Sequence, residues 1–423
     1  MVVGAVVCGA FTGRLKDVTL AVTESASSAV MLAIGLVGVM ALFLGLMQAV
    51  RDAGLLRDLA RLIRPVMRRL FPDVPADHPA MSMMVLNMAA NMLGLGNVAT
   101  PFGLKAMTEL DKLNPRPGVA TNAMVLFLAI NTSGVAVLPT GMIGMRASLG
   151  STEPGSILLT TLIATATSTT IAIISALLLA RFWPVPQGIV VTHEAPQATI
   201  ETPDALAVAA LPELEPWKRA LLWCAVLLVF VGFGTAFWQT AQGDGGVDAA
   251  RHAVFAEWPL LGVVVGLALF AALRGVKVYD AVVVGAKEGF EVAFRIIPYL
   301  VAILVAVGML RASGAIDLMV AALSPLTSLI GMPSEVLPMV FLRPLSGSGS
   351  FAVAGEIMKA HGPDSIIGQI VSTMQGSTET TFYVLALYLG SVQVRAARHA
   401  VLVCLLADAT GMIMSVLACR WLL

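Results

Sequence analysis

Long apolar runs recur along this chain of 423 residues and constrain its fold more than any other feature. A helix needs about 20 consecutive apolar residues to cross the hydrocarbon core of a bilayer. Runs close to that length lie at Val30–Val50, Ile157–Trp183, Trp217–Trp238 and Pro259–Leu273. Charged residues make up only 12% of the chain, whereas about 25% is usual for soluble domains. The sequence therefore predicts an all-α polytopic membrane protein surrounded by a lipid bilayer.

The two halves of the chain carry similar motifs in the same order. Residues 51–65, which run from Arg-Asp-Ala-Gly to Arg-Pro, are matched by residues 311–325. Three further matches follow in order: 94–97 with 347–350, 131–133 with 375–377, and 164–167 with 407–410. Their shared order predicts a duplication, since such periodic self-similarity is typical of repeat architectures. We expect a first membrane repeat over residues 1–183 and a second over residues 217–423.

The distribution of charge predicts how the two repeats are oriented. Residues 55–70 combine apolar residues at helical spacing with an arginine stripe at 57, 61, 64 and 68. Such a helix lies on the membrane surface, and its charge favours the cytoplasmic side. Five predicted spans separate residue 51 from residue 311, and this odd number predicts inverted-topology repeats, a common plan among secondary transporters. Residues 184–216, rich in Pro, Ala, Thr and Glu, are predicted to form a cytoplasmic linker.

Each repeat contains a segment that predicts a re-entrant helical hairpin. Residues 81–110 hold two apolar stretches separated by Gly94–Pro101, and residues 338–360 repeat the design around Ser346–Ser350. Each stretch of about ten residues would span roughly half of the bilayer core. Glycine-rich segments also occur where helices merely cross closely. Two matched hairpins instead favour tips that line a polar cavity, where exposed backbone is tolerated inside a membrane.

After each hairpin comes a predicted span that polar residues interrupt. The first interruption is Asn131–Gly134, with Pro139 soon after, and the second is Gln375–Thr381. A single buried hydroxyl or amide usually bonds its own helix or a neighbour. Several polar residues in succession within an apolar span instead predict a broken transmembrane helix in each repeat. The free backbone groups at such breaks suit a small polar solute or an ion.

The hairpins and the broken helices supply the candidate substrate-binding residues. In the first repeat these are Asn87, Asn91, Asn97, Thr100, Asn131, Thr132 and Ser133. In the second they are Arg343, Ser346, Ser348, Ser350, Gln375, Ser377, Thr378, Glu379 and Thr380. Ionisable residues within a membrane mark functional sites by default, so Glu379 and Asp408 are the candidates for binding a coupling proton or monovalent cation. The alternative is a structural ion pair between these carboxylates and Arg343.

No motif in the sequence predicts a metal site, a cofactor or a catalytic centre. The four cysteines are isolated in apolar stretches, and the histidines are scattered without ligand spacing. Basic and acidic residues both number 26, so no excess of charge favours nucleic acid. We therefore expect no enzyme. Small residues such as Gly35 and Gly38 permit packing between chains, so a homo-oligomer is a candidate assembly.

The hairpin and break motifs resemble a known family. Residues 87–101, with Asn-Met-Ala-Ala-Asn-Met-Leu-Gly-Leu-Gly-Asn and then Thr-Pro, resemble spore maturation protein A. Leu342–Gly349 and Ser372–Tyr383 resemble spore maturation protein B, so the chain looks like the two fused. Those proteins share the Gate, or nucleoside recognition, domain, which also occurs in concentrative nucleoside transporters and bacterial ferrous iron transporters. The resemblance implies a multi-pass protein of the bacterial inner (plasma) membrane with paired hairpins around a solute path.

Two functions follow as expectations. The first is a secondary transporter or permease for a small polar or anionic solute, nucleoside-like or a small carboxylate, with a proton or monovalent cation as the candidate coupling ion. No residue-level match to the binding motifs of nucleoside transporters supports a nucleoside site. The alternative is a non-transporting membrane scaffold or regulator of the spore maturation type, which would act through the linker and the surface helix.

Overall fold

A computed structural model describes residues 2–183, 215–243, 246, 247, 254, 258–315, 318 and 331–422. These residues are helical apart from turns, loops and one isolated β-bridge between Val119 and Ala396. Four of the described helices are long and apolar enough to cross a membrane. The predicted all-α membrane fold is therefore confirmed, whereas the inverted relation of the two repeats stays a prediction. Residues 184–214 of the predicted linker lie outside the described part.

The described helices include both long spans and short pieces. The first half contains α1 (Val2–Thr12), α2 (Leu15–Asp52), α3 (Leu55–Leu70), α4 (Pro79–Met92), α5 (Gly96–Lys112), α6 (Asn122–Ser133), α7 (Thr140–Ser148) and α8 (Ile157–Leu179). The second contains α9 (Pro216–Gln242), α10 (Trp258–Leu273), α11 (Val278–Ala312), α12 (Leu337–Leu342), α13 (Gly347–His361), α14 (Ile366–Ser377), α15 (Thr381–Ser391) and α16 (Ala400–Leu422).

The long helices α2 and α11 pack together through glycines. A Cβ atom on Gly45 would lie 2.7 Å from the carbonyl oxygen of Val282. One on Gly289 would lie 2.6 Å from the Cα atom of Ala41. No side chain fits at such distances, so these glycines let the two backbones touch, as small residues do between membrane helices. Helix α2 has 38 residues, and its length of about 57 Å exceeds the bilayer core of about 30 Å.

Helix α3 forms where the arginine stripe predicted a helix. It begins after Gly54, whose φ of 81° places it in the left-handed region that glycine favours. Arg64 and Arg68 each approach Asp77 at 3.8 Å, and Arg274 pairs with Asp58. The corresponding segment of the second half, residues 316–330, lies outside the described part except for residue 318.

The ends of the helices meet at two opposite ends of the molecule. At the α3 end, Phe71 shares one apolar cluster with Met81 and Ala400, near the starts of α4 and α16. At the far end, the turn between α7 and α8 meets the turn between α13 and α14, where the amide of Thr152 donates to Asp364 at 2.8 Å. The α4–α5 hairpin therefore opens toward the α3 end, and the α12–α13 hairpin opens toward the far end.

Both hairpins and both broken helices are present, with shorter reversals than the sequence indicated. The first hairpin reverses at residues 93–95 rather than 94–101, because α5 already begins at Gly96 and includes Pro101. The second reverses at residues 343–346, because the hydroxyl of Ser346 caps α13 by accepting from the amide of Gly349 at 3.0 Å. The two helices that were predicted to be broken are interrupted at residues 134–139, between α6 and α7, and at residues 378–380, between α14 and α15.

Candidate functional site

A central cavity of about 450 Å³ lies where both hairpin tips and both helix breaks meet. Asn91 and Gly94 contribute from the first hairpin, and Arg343 and Ser348 from the second. The breaks contribute residues on both sides of the cavity: Ala136, Leu138, Pro139, Thr140, Gly141, Met142, Gln375, Gly376 and Glu379. Met40 of α2, Leu300 of α11 and Phe351 of α13 complete the walls. The predicted polar segments therefore surround one space.

Backbone hydrogen bonds tie each hairpin to its broken helix. The amide of Val137 donates to the carbonyl of Met92 at 3.1 Å, which joins the first break to the first tip. The amide of Phe382 donates to the carbonyl of Pro344, also at 3.1 Å, in the second half. A third bond, at 2.8 Å, runs from the amide of Glu379 to the carbonyl of Thr132 and joins the two breaks. The breaks thus use part of their free backbone groups to hold the cavity together.

Arg343 is a buried cation at the edge of the cavity, and its side chain is only 3% exposed. Its guanidinium donates to the hydroxyl of Thr380 at 3.3 Å and to the carbonyl of Gln375 at 3.1 Å, while Nε has no partner. Among the described residues, no carboxylate oxygen lies within 4.0 Å of it. A buried charge is costly unless it is paired. The site can therefore accept an anionic group that completes the pairing.

Side-chain amides line the cavity on both sides. Asn91 donates to the side chain of Asn131 at 3.0 Å, and Asn131 in turn donates to the carbonyl of Phe127 at 2.9 Å. Gln375 donates weakly to the carbonyl of Gly347 at 3.4 Å, and its buried Oε1 has no partner. An unpaired buried oxygen at a cavity wall can accept a hydrogen bond from a bound solute.

The two candidate carboxylates occupy different environments. Glu379 is exposed and lines the central cavity. Asp408 is 2% exposed and lies behind the second break, where its Oδ2 accepts from the hydroxyl of Thr381 at 2.6 Å. Its Oδ1 is buried without a partner, and so is the hydroxyl of Thr378. A bound proton or cation at Asp408 would relieve the cost of this unpaired group.

The predicted hydroxyl residues at the breaks bond either their own helix or a neighbouring one. Ser133 donates to the carbonyl of Ala129 at 2.8 Å, and Thr132 donates to that of Leu128 at 3.0 Å. Ser377 lies 3.1 Å from the hydroxyl of Ser415. Predicted site residues that do not line the central cavity are Asn87, Thr100, Asn131, Thr132, Ser133, Ser346, Ser350, Ser377, Thr378 and Thr380. The side chain of Asn97 lies outside the described part.

Asn87 holds the first hairpin closed. Its fully buried side chain donates to the carbonyl of Ala99 at 2.8 Å, across from α4 to α5, and approaches the hydroxyl of Tyr388 at 3.4 Å. A Cβ atom on Gly103 would lie only 2.2 Å from that hydroxyl. Asn87 thus positions the hairpin tip without facing the central cavity.

Arg146 is a buried charge that no motif in the sequence marks as a site residue. It lies at the far end, fully buried, and its Nη2 lies 2.9 Å from Oδ1 of Asp364. Burial raises the pKa of the Asp364 carboxyl, but hydrogen bonds from Ser151 and Thr152 and the charge of Arg146 outweigh it. The pKa of Asp364 is consequently held below its ordinary value of 3.8. This ion pair joins the α7–α8 turn to the α13–α14 turn.

Other wall residues also lacked a signal in the sequence. Met40, Leu300 and Phe351 are apolar residues on apolar helices, so only tertiary packing brings them to the cavity. Thr140 could have been found, since a polar residue directly follows Pro139 at the break. Within the described part, no group of three His, Cys, Asp or Glu residues is arranged to hold a metal ion.

The comparisons with known proteins place these features in a family context. The family model described as nucleoside recognition (Gate) matches residues 33–149 and 293–395, which together exceed half of the chain. A solved structure, that of Neisseria gonorrhoeae MtrF, is described as illuminating a class of antimetabolite efflux pumps. The match covers 96% of this chain and 83% of the MtrF chain. The TM-score of this match is 0.42, and the two sequences are 15% identical.

Two curated relatives from Bacillus subtilis (strain 168) are much more similar. Spore maturation protein B is 43% identical over 155 residues, which cover 37% of this chain and 87% of that protein. Spore maturation protein A is 42% identical over 153 residues, which cover 36% of this chain and 78% of that protein. The chain therefore belongs to the nucleoside recognition (Gate) family and is related within it to spore maturation proteins A and B.

Proposed function

We propose that this membrane protein is a secondary transporter or permease for a small polar or anionic solute, nucleoside-like or a small carboxylate. The observation that carries the proposal is the central cavity, which two hairpin tips and two helix breaks surround. Secondary transporters commonly bind their solutes near the midplane, between discontinuous helices of two repeats. A volume of about 450 Å³ suits a small metabolite. Membership of a family described as nucleoside recognition is consistent with a solute of this size.

Arg343 supports an anionic group on the solute. The guanidinium donates to Thr380 and to the carbonyl of Gln375, yet within the described part it has no carboxylate partner at ion-pair distance. Arginine suits carboxylate and phosphate because its planar fork can donate two parallel hydrogen bonds. Asn91 and Gln375 would complete recognition by hydrogen bonding polar groups of the same solute.

Asp408 and Glu379 support coupling to a proton or a monovalent cation. Asp408 has one buried oxygen without a partner, directly behind the break that carries Glu379. Charging and discharging this carboxylate would change the stability of the break, because a buried unpaired charge is costly. The proposal includes movement of the halves 1–183 and 217–423 as inverted repeats in the bacterial inner membrane. It includes no catalytic step.

Thermal stability of the purified protein tests the proposal directly. A ligand that binds only the folded state stabilises it by about 2.7 kcal/mol at 100 times its dissociation constant. Nucleosides, small carboxylates, amino acids and phosphorylated metabolites should be screened with and without Na⁺ between pH 5 and pH 8. We expect one class to raise the melting temperature, and Arg343→Gln to abolish the rise.

A matched variant controls for the general loss of positive charge. Arg395 is exposed in the loop between α15 and α16 and does not line the central cavity, so Arg395→Gln should keep the full ligand response. Uptake of the same solute into proteoliposomes should then depend on a pH or Na⁺ gradient and be lost in Asp408→Asn. A ligand response that survives Arg343→Gln would contradict the assigned site.

The competing candidate is a non-transporting membrane scaffold or regulator. The names of the two Bacillus subtilis relatives refer to spore maturation and not to transport. Deleting residues 186–212, while keeping every described helix, separates the two candidates. A transporter should retain solute uptake in proteoliposomes after this deletion. A scaffold should lose its cellular phenotype while the protein still inserts into the membrane.

A further inference from the structure

A second cavity of about 660 Å³ lies between α2, α7 and α13. Residues 24–35 of α2 form one wall, Ser148 at the end of α7 forms another, and Gly355 to Lys359 of α13 form the third. These residues lie toward the far end of the molecule. Helix α7 ends at Ser148 beside them, and α2 runs from them toward α3 at the opposite end. We call this space the far-end cavity.

The same three helices line the central cavity slightly deeper in the molecule. Met40 of α2, Met142 of α7 and Phe351 of α13 face the central cavity. Phe351 precedes Gly355 of the far-end cavity by four residues, which is about 6 Å along a helix. The two cavities therefore lie one above the other along a single groove between α2, α7 and α13.

Apolar side chains separate the two cavities at Gly355. A Cβ atom on Gly355 would lie 3.2 Å from Cδ2 of Leu32 and 3.2 Å from Sδ of Met145. One turn deeper, the ring of Phe351 lies 3.4 Å from the Cβ position of Gly141. The partition consists of the ends of flexible side chains against two glycines. Rotation of these side chains would open it without movement of a backbone segment.

Both cavities carry an acidic and a basic side chain that are not paired with each other. The central cavity has Arg343 and Glu379, and the far-end cavity has Lys359 and Glu24. The Lys359 ammonium donates to the hydroxyl of Ser28 at 3.0 Å. In the described part of the chain, none of these four charges has an oppositely charged group within 4.0 Å. The second acidic residue of the far-end cavity, Glu356, is instead neutralised by Arg311 at 3.6 Å.

We infer that the far-end cavity is the entrance to the central cavity and recognises solutes that carry both an anionic and a cationic group. This inference rests on the proposed function and narrows its solute to small zwitterions. Lys359 attracts the anionic group and Glu24 the cationic group at the entrance. Arg343 and Glu379 repeat the arrangement inside. Leu32, Met145 and Phe351 form the apolar gate between the two positions.

Cysteine labelling tests the path without requiring a known solute. In a Cys8→Ser/Cys224→Ser background, Ser348→Cys places a thiol in the central cavity. Membrane-impermeant thiosulfonates, one with a sulfonate group and one with a trimethylammonium group, are applied to right-side-out and inside-out vesicles. Thr23→Cys, which is exposed near the far end and does not line either cavity, reports which vesicles present that end.

The gate and the charges predict distinct changes in the labelling rate. Adding Gly355→Leu should slow labelling of Ser348→Cys from the far end about 10-fold or more, because its side chain would overfill the contact with Leu32 and Met145. Gly266→Leu is the matched control, since nothing lies within 4 Å of its Cβ position, and should leave the rate unchanged. Lys359→Gln should slow only the anionic reagent and Glu24→Gln only the cationic one, each by about 3-fold or more.

The labelling rates show whether the far-end cavity is an entrance to the central cavity or a closed pocket. Labelling of Ser348→Cys that is equally fast with Gly355→Leu would overturn the entrance, and so would labelling only from the α3 end. If neither Lys359→Gln nor Glu24→Gln changes the labelling rate of Ser348→Cys, the inference that the entrance recognises both charges of the solute is wrong. Failure of the proposed function gives a different result. In that case no solute would raise the melting temperature of the unmodified protein or be taken up into proteoliposomes, whatever the labelling rates.

Discussion

Neutralising Asp364 should destabilise the far end of the protein. Its carboxylate lies 2.9 Å from the guanidinium of Arg146 and accepts from the amide of Thr152 at 2.8 Å. Arg146 is fully buried and also donates to the carbonyl of Pro363 at 2.5 Å and to that of Glu153 at 3.1 Å. The pair therefore connects two turns from different halves of the chain.

The exposure of the two side chains determines how much free energy of unfolding Asp364→Asn should remove. Removing one partner of a fully buried ion pair costs about 3–5 kcal/mol, whereas an exposed pair contributes about 0–1 kcal/mol. Arg146 is completely buried, but the side chain of Asp364 is 36% exposed, so water screens part of the interaction. Arg146 also keeps its carbonyl partners, and an asparagine can still accept from Thr152. We therefore expect Asp364→Asn to cost about 2–3 kcal/mol in the free energy of unfolding.

Equilibrium unfolding of the purified protein in mixed micelles, by titration with SDS, measures this change. The Lys112–Glu109 pair is a suitable control, since its atoms approach at 2.7 Å but Lys112 is 61% exposed. Lys112→Gln should cost less than about 1 kcal/mol. The double variant Asp364→Asn/Arg146→Met should lose less free energy of unfolding than the sum of the two single variants. The reason is that the double variant no longer contains a buried charge without its partner. An Asp364→Asn cost no larger than that of Lys112→Gln would refute the reasoning.

Three further predictions concern stability. The pKa of Asp364 is depressed in the folded state, so its contribution should be complete above about pH 5, decline near the unfolded-state pKa of about 3.9 and disappear as pH falls through the folded-state pKa. SDS titrations at pH 7, pH 4 and pH 3 should show a steeper decline in the native protein than in Asp364→Asn. Asn87→Ala should cost about 1–3 kcal/mol in the same assay, because it removes a buried bond to Ala99. Gly289→Leu should cost about 3 kcal/mol or abolish monodisperse expression, since its Cβ position lies 2.6 Å from the backbone of Ala41.

The hairpins and the breaks were predictable because Gly, Pro and clustered polar residues leave a local signal in an apolar sequence. The positions of the reversals were less predictable. Gly94, with φ of 71°, makes the first turn, while Gly96 already starts α5. Both glycines carry the same signal in the sequence, and only the tertiary structure decides which of them the turn uses.

Arg146 shows why other features could not be predicted. An arginine between Met145 and Ala147 near the end of a predicted span is typical of a side chain at the membrane surface. Its burial depends on Asp364, which is far away in sequence and has no periodic relation to it. The walls formed by Met40 and Leu300 are a similar case, since an apolar residue that faces a cavity and one that faces lipid are alike in sequence.

The bonds that tie each hairpin to its broken helix join main-chain atoms only: Val137 to Met92, and Phe382 to Pro344. Almost no side-chain substitution can remove such a bond, so ordinary sequence drift leaves these two connections intact. Proline is the exception, because it lacks the amide hydrogen. The hairpin and the broken helix of each half therefore stay joined whichever side chains line the cavity, so the lining can change without loss of this connection.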